Sequence, residues 1–280
     1  LEDIPGYSDE SQDTDFDLDE EFQNIIGLAA VKTRIKQLEA EIRIRKIRER
    51  KGLKVDSTNT LHFIFSGNPG TGKTTMARVM ARLFHKLKII PSNNLVEVSR
   101  KDLVAGYVGQ TAAKTEAVFN SASGGVLFID EAYSLTSANE QDFGHEAIDT
   151  LVKLIEDNQS TVVILAGYTD DMRHFLDTNP GLASRFPDWI EFPDYDEEEL
   201  LEIGQRICRE KGYVMSREAE EKVRELMARE KAKPNFGNGR VVRNCIEKSI
   251  ARQNMRILEI DEAAMTEEDL VNLTGDDITL

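Results

Sequence analysis

The 280-residue chain reads as an α/β protein, a parallel sheet flanked by helices, followed by a small all-helical domain. Three observations predict this. From residue 61 to about 192, short apolar runs alternate with stretches of helical period, the pattern of a parallel sheet. The first run opens directly into the glycine-rich segment "GNPGTGKTT" at 67–75. After "FPDYDEEELLEIG" the strand pattern stops, and everything to about Met255 has helical periodicity.

Residues 23–54 are expected to form a helix, because Ile25, Ile26, Leu28, Val31, Ile35, Leu38, Ile42 and Ile44 recur near the helical period. Its polar positions turn basic towards the end, but Glu39, Glu41 and Glu49 interrupt the charge, so it reads as a packed helix with a solvated face. "LHFIFS" (61–66), "LVEV" (95–98), "GVLFID" (125–130), "TVVILAG" (161–167) and "WIEF" (189–192) read as strands. Between them, 74–87, 111–120 and 145–157 read as helices. Asp196 is placed as an N-cap ahead of an acidic first turn. Helices follow at 197–211, 216–230 and 239–256, with "KAKPNFGNG" as a loop. The domains are therefore an acidic segment expected to be disordered (1–22), an α/β domain (23–192), a small helical domain (193–259) and an acidic tail (260–280).

The net charge of −16 belongs to the two ends. Residues 1–22 carry ten acids and 260–280 carry seven, with no Lys or Arg in either, and the remaining 34 acids face 35 bases. The near-neutral middle carries no electrostatic case for nucleic acid. No apolar run approaches the ~20 residues of a membrane span. Cys208 and Cys245 have no metal-type spacing and read as reduced thiols of a cytoplasmic protein. The chain begins at Leu1 rather than Met, which reads as a segment of a longer protein. The four histidines show no ligand spacing.

Gly67, Asn68, Pro69, Gly70, Thr71, Gly72, Lys73 and Thr74 fit G-x-x-x-x-G-K-[ST], with a strand before and a helix after, as the pattern requires. Glycines let successive backbone N–H groups turn inward as an anion nest, and the following helix points its positive end at the same place. Lys73 would reach the β- and γ-phosphates of ATP, and Thr74 would offer its hydroxyl to Mg²⁺; Thr75 is grouped with the nucleotide-binding residues. In "GVLFIDEAYSL", four apolar residues deliver Asp130 and Glu131 to the carboxyl end of a buried strand, where open α/β sheets bind ligands. Asp130 suits Mg²⁺, and Glu131 is placed to polarise the attacking water.

"GNPGTGKTTMARVMARLF", "DLVAGYVGQTAAKT", "GGVLFIDEAYSL", "FGHEAIDTLVKLIEDN", "NPGLASRFPDWIEFPDY" and "NGRVVRNCIEKSIARQNMRI" together resemble the CbxX/CfxQ family of AAA+ ATPases, nearer to its sporulation-protein branch than to its rubisco branch. The resemblance covers residues 23 to about 257. It implies a ring oligomer, a hexamer, that remodels a protein substrate at the expense of ATP. It implies that Arg185 in "LASRF" is an arginine finger for a neighbour's site, that Arg240 in "GNGR" senses the γ-phosphate, and that Ile25, Ile26 and Gly27 pack the adenine. Tyr168 or Thr169 would be the polar sensor after the fourth strand. Tyr107, between Gly106 and Gly109, matches a pore-loop aromatic that grips a threaded chain; from the residues alone, a packed loop anchor is an equal reading. The competing function is a nucleotide-dependent assembly switch or scaffold that does little mechanical work. Neither reading calls for a nucleic-acid or membrane partner.

Overall fold

The computed structural model describes residues 16–55, 61–107, 109–136, 143–158 and 160–280. Most of the acidic segment 1–22 thus lies outside the described residues. The chain divides into two compact units. One holds the sheet; the other comprises Ile25–Leu28, Gly67–Gly72 and Pro193–Leu280.

In the first unit, α1 (Leu18–Gln23) precedes α2 (Ala29–Arg50), β1 (Phe63–Ser66), α3 (Lys73–Lys86), β2 (Leu95–Val98), α4 (Arg100–Leu103) and α5 (Thr111–Ser121). Then come β3 (Val126–Ile129), a 3₁₀ turn (Ala132–Leu135), α6 (Gly144–Asp157), β4 (Val162–Gly167), α7 (Thr169–Asp177), α8 (Pro180–Ala183) and β5 (Asp188–Glu191). The strands form one sheet of order β2-β3-β4-β1-β5, every neighbouring pair parallel. Every residue of β1, β3 and β4 is buried, as a sheet covered on both faces demands. Because side chains alternate along a strand, Ile64, Leu127, Ile129, Val163 and Leu165 share one face with Phe119 of α5, Leu151 of α6 and Phe175 of α7. On the other face Phe63 stacks on Phe84 of α3, ring centroids 5.7 Å apart. At the edge, Trp189 donates its indole N–H to the Ser66 hydroxyl at 2.7 Å.

Two readings of the ends change. Residues 16–22 are folded: Asp17 caps α1, accepting from the Asp19 N–H at 2.8 Å, and Phe16 is buried with the Arg82 guanidinium 4.9 Å from its ring. Acids in this stretch pair with bases, Glu21 with Arg82 at 2.6 Å and Asp19 with Lys36. The single helix expected over 23–54 is interrupted, since Gly27 and Leu28 adopt φ of 62° and 56° and α2 starts only at Ala29. From there Val31, Ile35, Leu38 and Ile42 form its buried stripe.

The second unit adds α9 (Glu197–Glu210), β6 (Val214–Met215), α10 (Arg217–Lys231), α11 (Asn238–Ile257), α12 (Glu267–Val271) and β7 (Asn272–Leu273). Asp196 caps α9 reciprocally: it accepts from the Glu199 N–H and donates its own N–H to the Glu199 carboxylate, both at 2.8 Å. The acidic stretch 260–280 is part of this unit rather than a tail. Its Asn272–Leu273 pairs in parallel with Val214–Met215, so this unit is not wholly helical. Leu273 and Ile278 are buried, and Asp277, 1% exposed, takes both Arg256 nitrogens at 2.9 Å. Among the described residues no helix is long and apolar enough to cross a membrane.

Candidate functional site

In the second unit the segment Gly67–Gly72 is held by its carbonyls. Asn68 O accepts from the Thr71 hydroxyl at 2.8 Å, Pro69 O from the Asn238 amide at 3.4 Å, Gly70 O from the Gly239 N–H at 3.2 Å and Thr71 O from the Tyr195 hydroxyl at 3.3 Å. With no cis peptide among the described residues, the N–H following each carbonyl points the opposite way. The N–H groups of Gly70, Thr71 and Gly72 therefore each face away from the partner of the carbonyl before them. Gly70 has φ of 70°, and a Cβ there would lie 2.3 Å from the Gly237 carbonyl, so only glycine serves.

The same loop is tied by its side chains. Asn68 Nδ2 lies 2.9 and 3.0 Å from the two Asp194 carboxylate oxygens, and Asn238 Nδ2 donates to Asp194 Oδ1 at 2.7 Å. Asn238 Oδ1 in turn accepts from the Tyr195 N–H at 3.0 Å. Asn238 is fully buried with φ of 45°, a conformation that asparagine tolerates. Burial, then the charge of Glu199, pushes the Tyr195 hydroxyl up to about 12, so it stays a donor. Of Ile25, Ile26 and Gly27, all half-buried, Gly27 lies under the Glu199 carboxylate: a Cβ there would meet Oε1 at 2.2 Å. Arg240 is exposed on the α11 turn, its N–H on Gly237 O at 2.9 Å.

In the sheet-bearing unit, α3 opens with Lys73 and Thr74, both half-buried, and the exposed Thr75. Asp130 continues the β2–β3 ladder, its N–H on Val98 O at 2.8 Å, and its Oδ1 accepts the Glu131 N–H at 3.0 Å. Glu131 is exposed and left-handed, φ 50° and ψ 43°, a conformation that costs a non-glycine residue energy and concentrates at functional sites. Two residues on, Tyr133 packs against Tyr168, ring centroids 5.9 Å apart. Burial first, then the Glu131 charge, raises the Tyr133 hydroxyl far above its ordinary range. Tyr168 directly follows β4 as the residue capping α7, and Thr169 is the first residue of α7.

Arg185 is not presented freely. It pairs with Glu156 of α6 and donates to the Gly181 carbonyl and the Ser184 hydroxyl, and its side chain is 21% exposed. Tyr107 is 75% exposed. Its loop is rooted on α5: Thr111 Oγ1 accepts from the Ala105 N–H at 3.1 Å, and Lys114 donates to the carbonyls of Lys101 and Val104 at 2.6 and 2.9 Å. Val108, beside it, lies outside the described residues.

Four residues of this arrangement escape sequence reasoning: Glu156, Asp194, Tyr195 and Asn238. The last three flank features that are legible, Asp194 and Tyr195 just before the Asp196 cap and Asn238 beside "GR", but nothing local pairs them with Asn68.

Residues 63–194 match the family model of ATPases associated with various cellular activities (AAA), and residues 196–280 match that of the AAA lid domain. Stage V sporulation protein K of Bacillus subtilis (strain 168) is 45% identical over 268 residues, covering 94% of this chain and 82% of that protein. Protein CfxQ of Xanthobacter flavus is 44% identical over 250 residues, 87% of this chain and 78% of that one. The chloroplastic ribulose bisphosphate carboxylase/oxygenase activase of Cyanidioschyzon merolae (strain NIES-3377 / 10D) is 44% identical over 263 residues, 93% and 89% respectively. Among solved structures, the FIGL-1 AAA domain aligns with a TM-score of 0.62 at 20% identity, covering 96% of this chain and 84% of that one, which speaks for the fold alone.

Proposed function

The chain belongs to the CbxX/CfxQ family of AAA+ ATPases, and from that premise we propose that it is an ATP-driven remodeller of another protein, working as a hexameric ring. The observation that carries the reading is the glycine-rich loop whose carbonyls are engaged, leaving the N–H groups of Gly70, Thr71 and Gly72 pointing away from those partners, and which leads directly into Lys73 and Thr74. The donor set fits a magnesium–polyphosphate pair. Backbone N–H groups and an ammonium suit phosphate oxygens, while the Thr74 hydroxyl and the Asp130 carboxylate suit a hard cation. Bound Mg²⁺ would offset the charge of the phosphates.

The chain's own residues then divide the task. Lys73 holds the β- and γ-phosphates. Glu131 orients water and draws its proton as it attacks the γ-phosphorus. Tyr168, rather than Thr169, is the better polar sensor, because it directly follows the strand with its ring against Tyr133. Ile25, Ile26 and Gly27 pack the base, and Arg240 reads the phosphates from the lid. Arg185 of a neighbouring copy supplies positive charge to the transition state. The exposed Tyr107, on a loop rooted in α5, is suited to gripping a polypeptide. The activase relative is named for a protein, ribulose bisphosphate carboxylase/oxygenase, which supports a protein as the substrate class.

A second reading, a nucleotide-dependent assembly switch, draws support from Arg185 being tied to Glu156 of its own chain. Two variants separate the readings. Glu131→Gln should bind ATP without turning it over. Tyr107→Ala should keep basal ATP hydrolysis and lose activity in cells; full cellular activity of Tyr107→Ala would favour the switch.

A further inference from the structure

The phosphate loop has four consecutive carbonyls, Asn68 to Thr71, and three of them accept from Asn238, Gly239 and Tyr195. Its one long polar side chain, Asn68, spends both amide contacts on Asp194, which also takes Asn238. A glycine-rich loop has little conformational preference of its own. Apart from the Thr71 hydroxyl on Asn68 O, the contacts that shape this one come from residues 194–195 and 237–239. We propose that Asp194, Tyr195 and Asn238 are positioning residues for nucleotide binding: they hold the phosphate loop open in its N–H-inward form before any nucleotide arrives. The proposal rests on reading Gly67–Gly72 as the phosphate-binding loop.

Asn238 is the hub. Its amide N–H groups serve Asp194 Oδ1, Pro69 O and Phe236 O, and its oxygen serves the Tyr195 N–H. Asn238→Asp keeps the shape and the left-handed tolerance, but sets a second carboxylate against Asp194 and removes the donors. Charge-assisted bonds of this kind convert to about ten- to a hundredfold in affinity. Because the loop holds the phosphates equally in ground and transition states, the loss should fall on KM for ATP and leave kcat nearly unchanged.

The exchange variant supplies the control. In Asp194→Asn/Asn238→Asp the charge moves from residue 194 to residue 238. The new amide at 194 can accept from Asn68 and donate to the carboxylate at 238, which still accepts from the Tyr195 N–H.

The test is calorimetric ADP binding and steady-state ATP hydrolysis by the full chain. The proteins are wild type, Asn238→Asp, Asp194→Asn, the exchange variant, Tyr195→Phe and Lys73→Ala, each with its melting temperature. Expected are at least tenfold weaker ADP binding and a KM increase for Asn238→Asp, partial recovery in the exchange variant, which restores the pairing of 194 with 238 but not the donors to Pro69 O and Phe236 O, and a two- to fivefold loss for Tyr195→Phe, which removes a single bond. Wild-type affinity in Asn238→Asp and Tyr195→Phe, or an exchange variant no better than Asn238→Asp, overturns the proposal. If Lys73→Ala also binds ADP as wild type does, the loop reading falls with it. If only Lys73→Ala loses binding, the loop reading stands and the positioning network alone is refuted.

Discussion

His62, just ahead of β1, should make the protein acid-sensitive in a defined window. Its ring is 5% exposed, lies 5.5 Å from that of Phe186, and accepts the Val163 N–H on Nδ1 at 3.0 Å. The proton of the neutral ring is therefore on Nε2, and protonating Nδ1 would set two N–H groups against each other. Burial depresses its pKa from 6.5 to about 4. The folded state thus keeps the ring neutral, while the unfolded chain gains a proton below pH 6.5. Stability is full above that value, falls as pH drops, and levels off near the folded pKa. The gap of about 2.5 pH units, at about 1.36 kcal/mol each, amounts to roughly 3.4 kcal/mol in all, of which about 2 kcal/mol is lost between pH 7 and pH 5. Carboxylates titrate in the lower part of this range, so the quantity to measure is a difference. Urea unfolding of wild type and His62→Asn at pH 7, 6 and 5 supplies it, since an asparagine oxygen can accept from Val163 without titrating. Wild type should lose about 2 kcal/mol more than the variant between pH 7 and 5. Parallel pH profiles for the two proteins would refute the reasoning.

Glu156→Gln should release Arg185 at small cost, below about 1 kcal/mol in stability because Glu156 is half exposed, and should lower the protein concentration at which specific ATPase activity is half-maximal. A concentration profile compared with wild type checks this. Gly70→Ala combines a left-handed φ of 70° with a contact of 2.3 Å to a backbone carbonyl; ADP binding measured by calorimetry should weaken by more than tenfold, about 1.4 kcal/mol or more. Asp277→Ala strands the half-buried Arg256 and breaks two bonds to Thr274, at 2.8 Å each, so unfolding free energy should drop by about 3 kcal/mol. Burial raises the Asp277 pKa, but its bonds to Arg256 and Thr274 outweigh this and hold it below 3.8; the stability it supplies is present above that pH and lost as pH falls through the folded value.

The sheet was legible because its strands are parallel and covered on both faces: "VLFI" and "VVILAG" are unbroken apolar runs with few alternative fates. The loop at 67–72 was legible as a turn between β1 and α3 because its glycines answer a backbone requirement, with φ of 70° at Gly70 and 90° at Gly72. The ends are not legible from composition, because acidity there goes with folding rather than with solvation. Asp17, Asp269 and Asp277 are instead engaged as a cap, a capping-box acid and an ion-pair partner, roles that composition does not distinguish from a solvated tail. The break at Gly27–Leu28 was hidden because Ile25, Ile26 and Leu28 continue the apolar period through a turn. Pairings such as Asn68 with Asp194, 126 residues apart, leave no local trace, and neither does the tie between Arg185 and Glu156.

The central claim is an active site completed by a second copy of the chain. The most direct test mixes two variants, Glu131→Gln, which lacks the water-orienting carboxylate, and Arg185→Ala, which lacks the trans charge, and follows ATP hydrolysis across protein concentration. Each alone should be nearly inactive. Their mixture should recover activity, because some neighbouring pairs join an intact Glu131 to an intact Arg185, and wild-type specific activity should rise with concentration. A wild type whose activity per molecule is flat, with Arg185→Ala as active as wild type, would mean a self-contained site and would contradict the ring account.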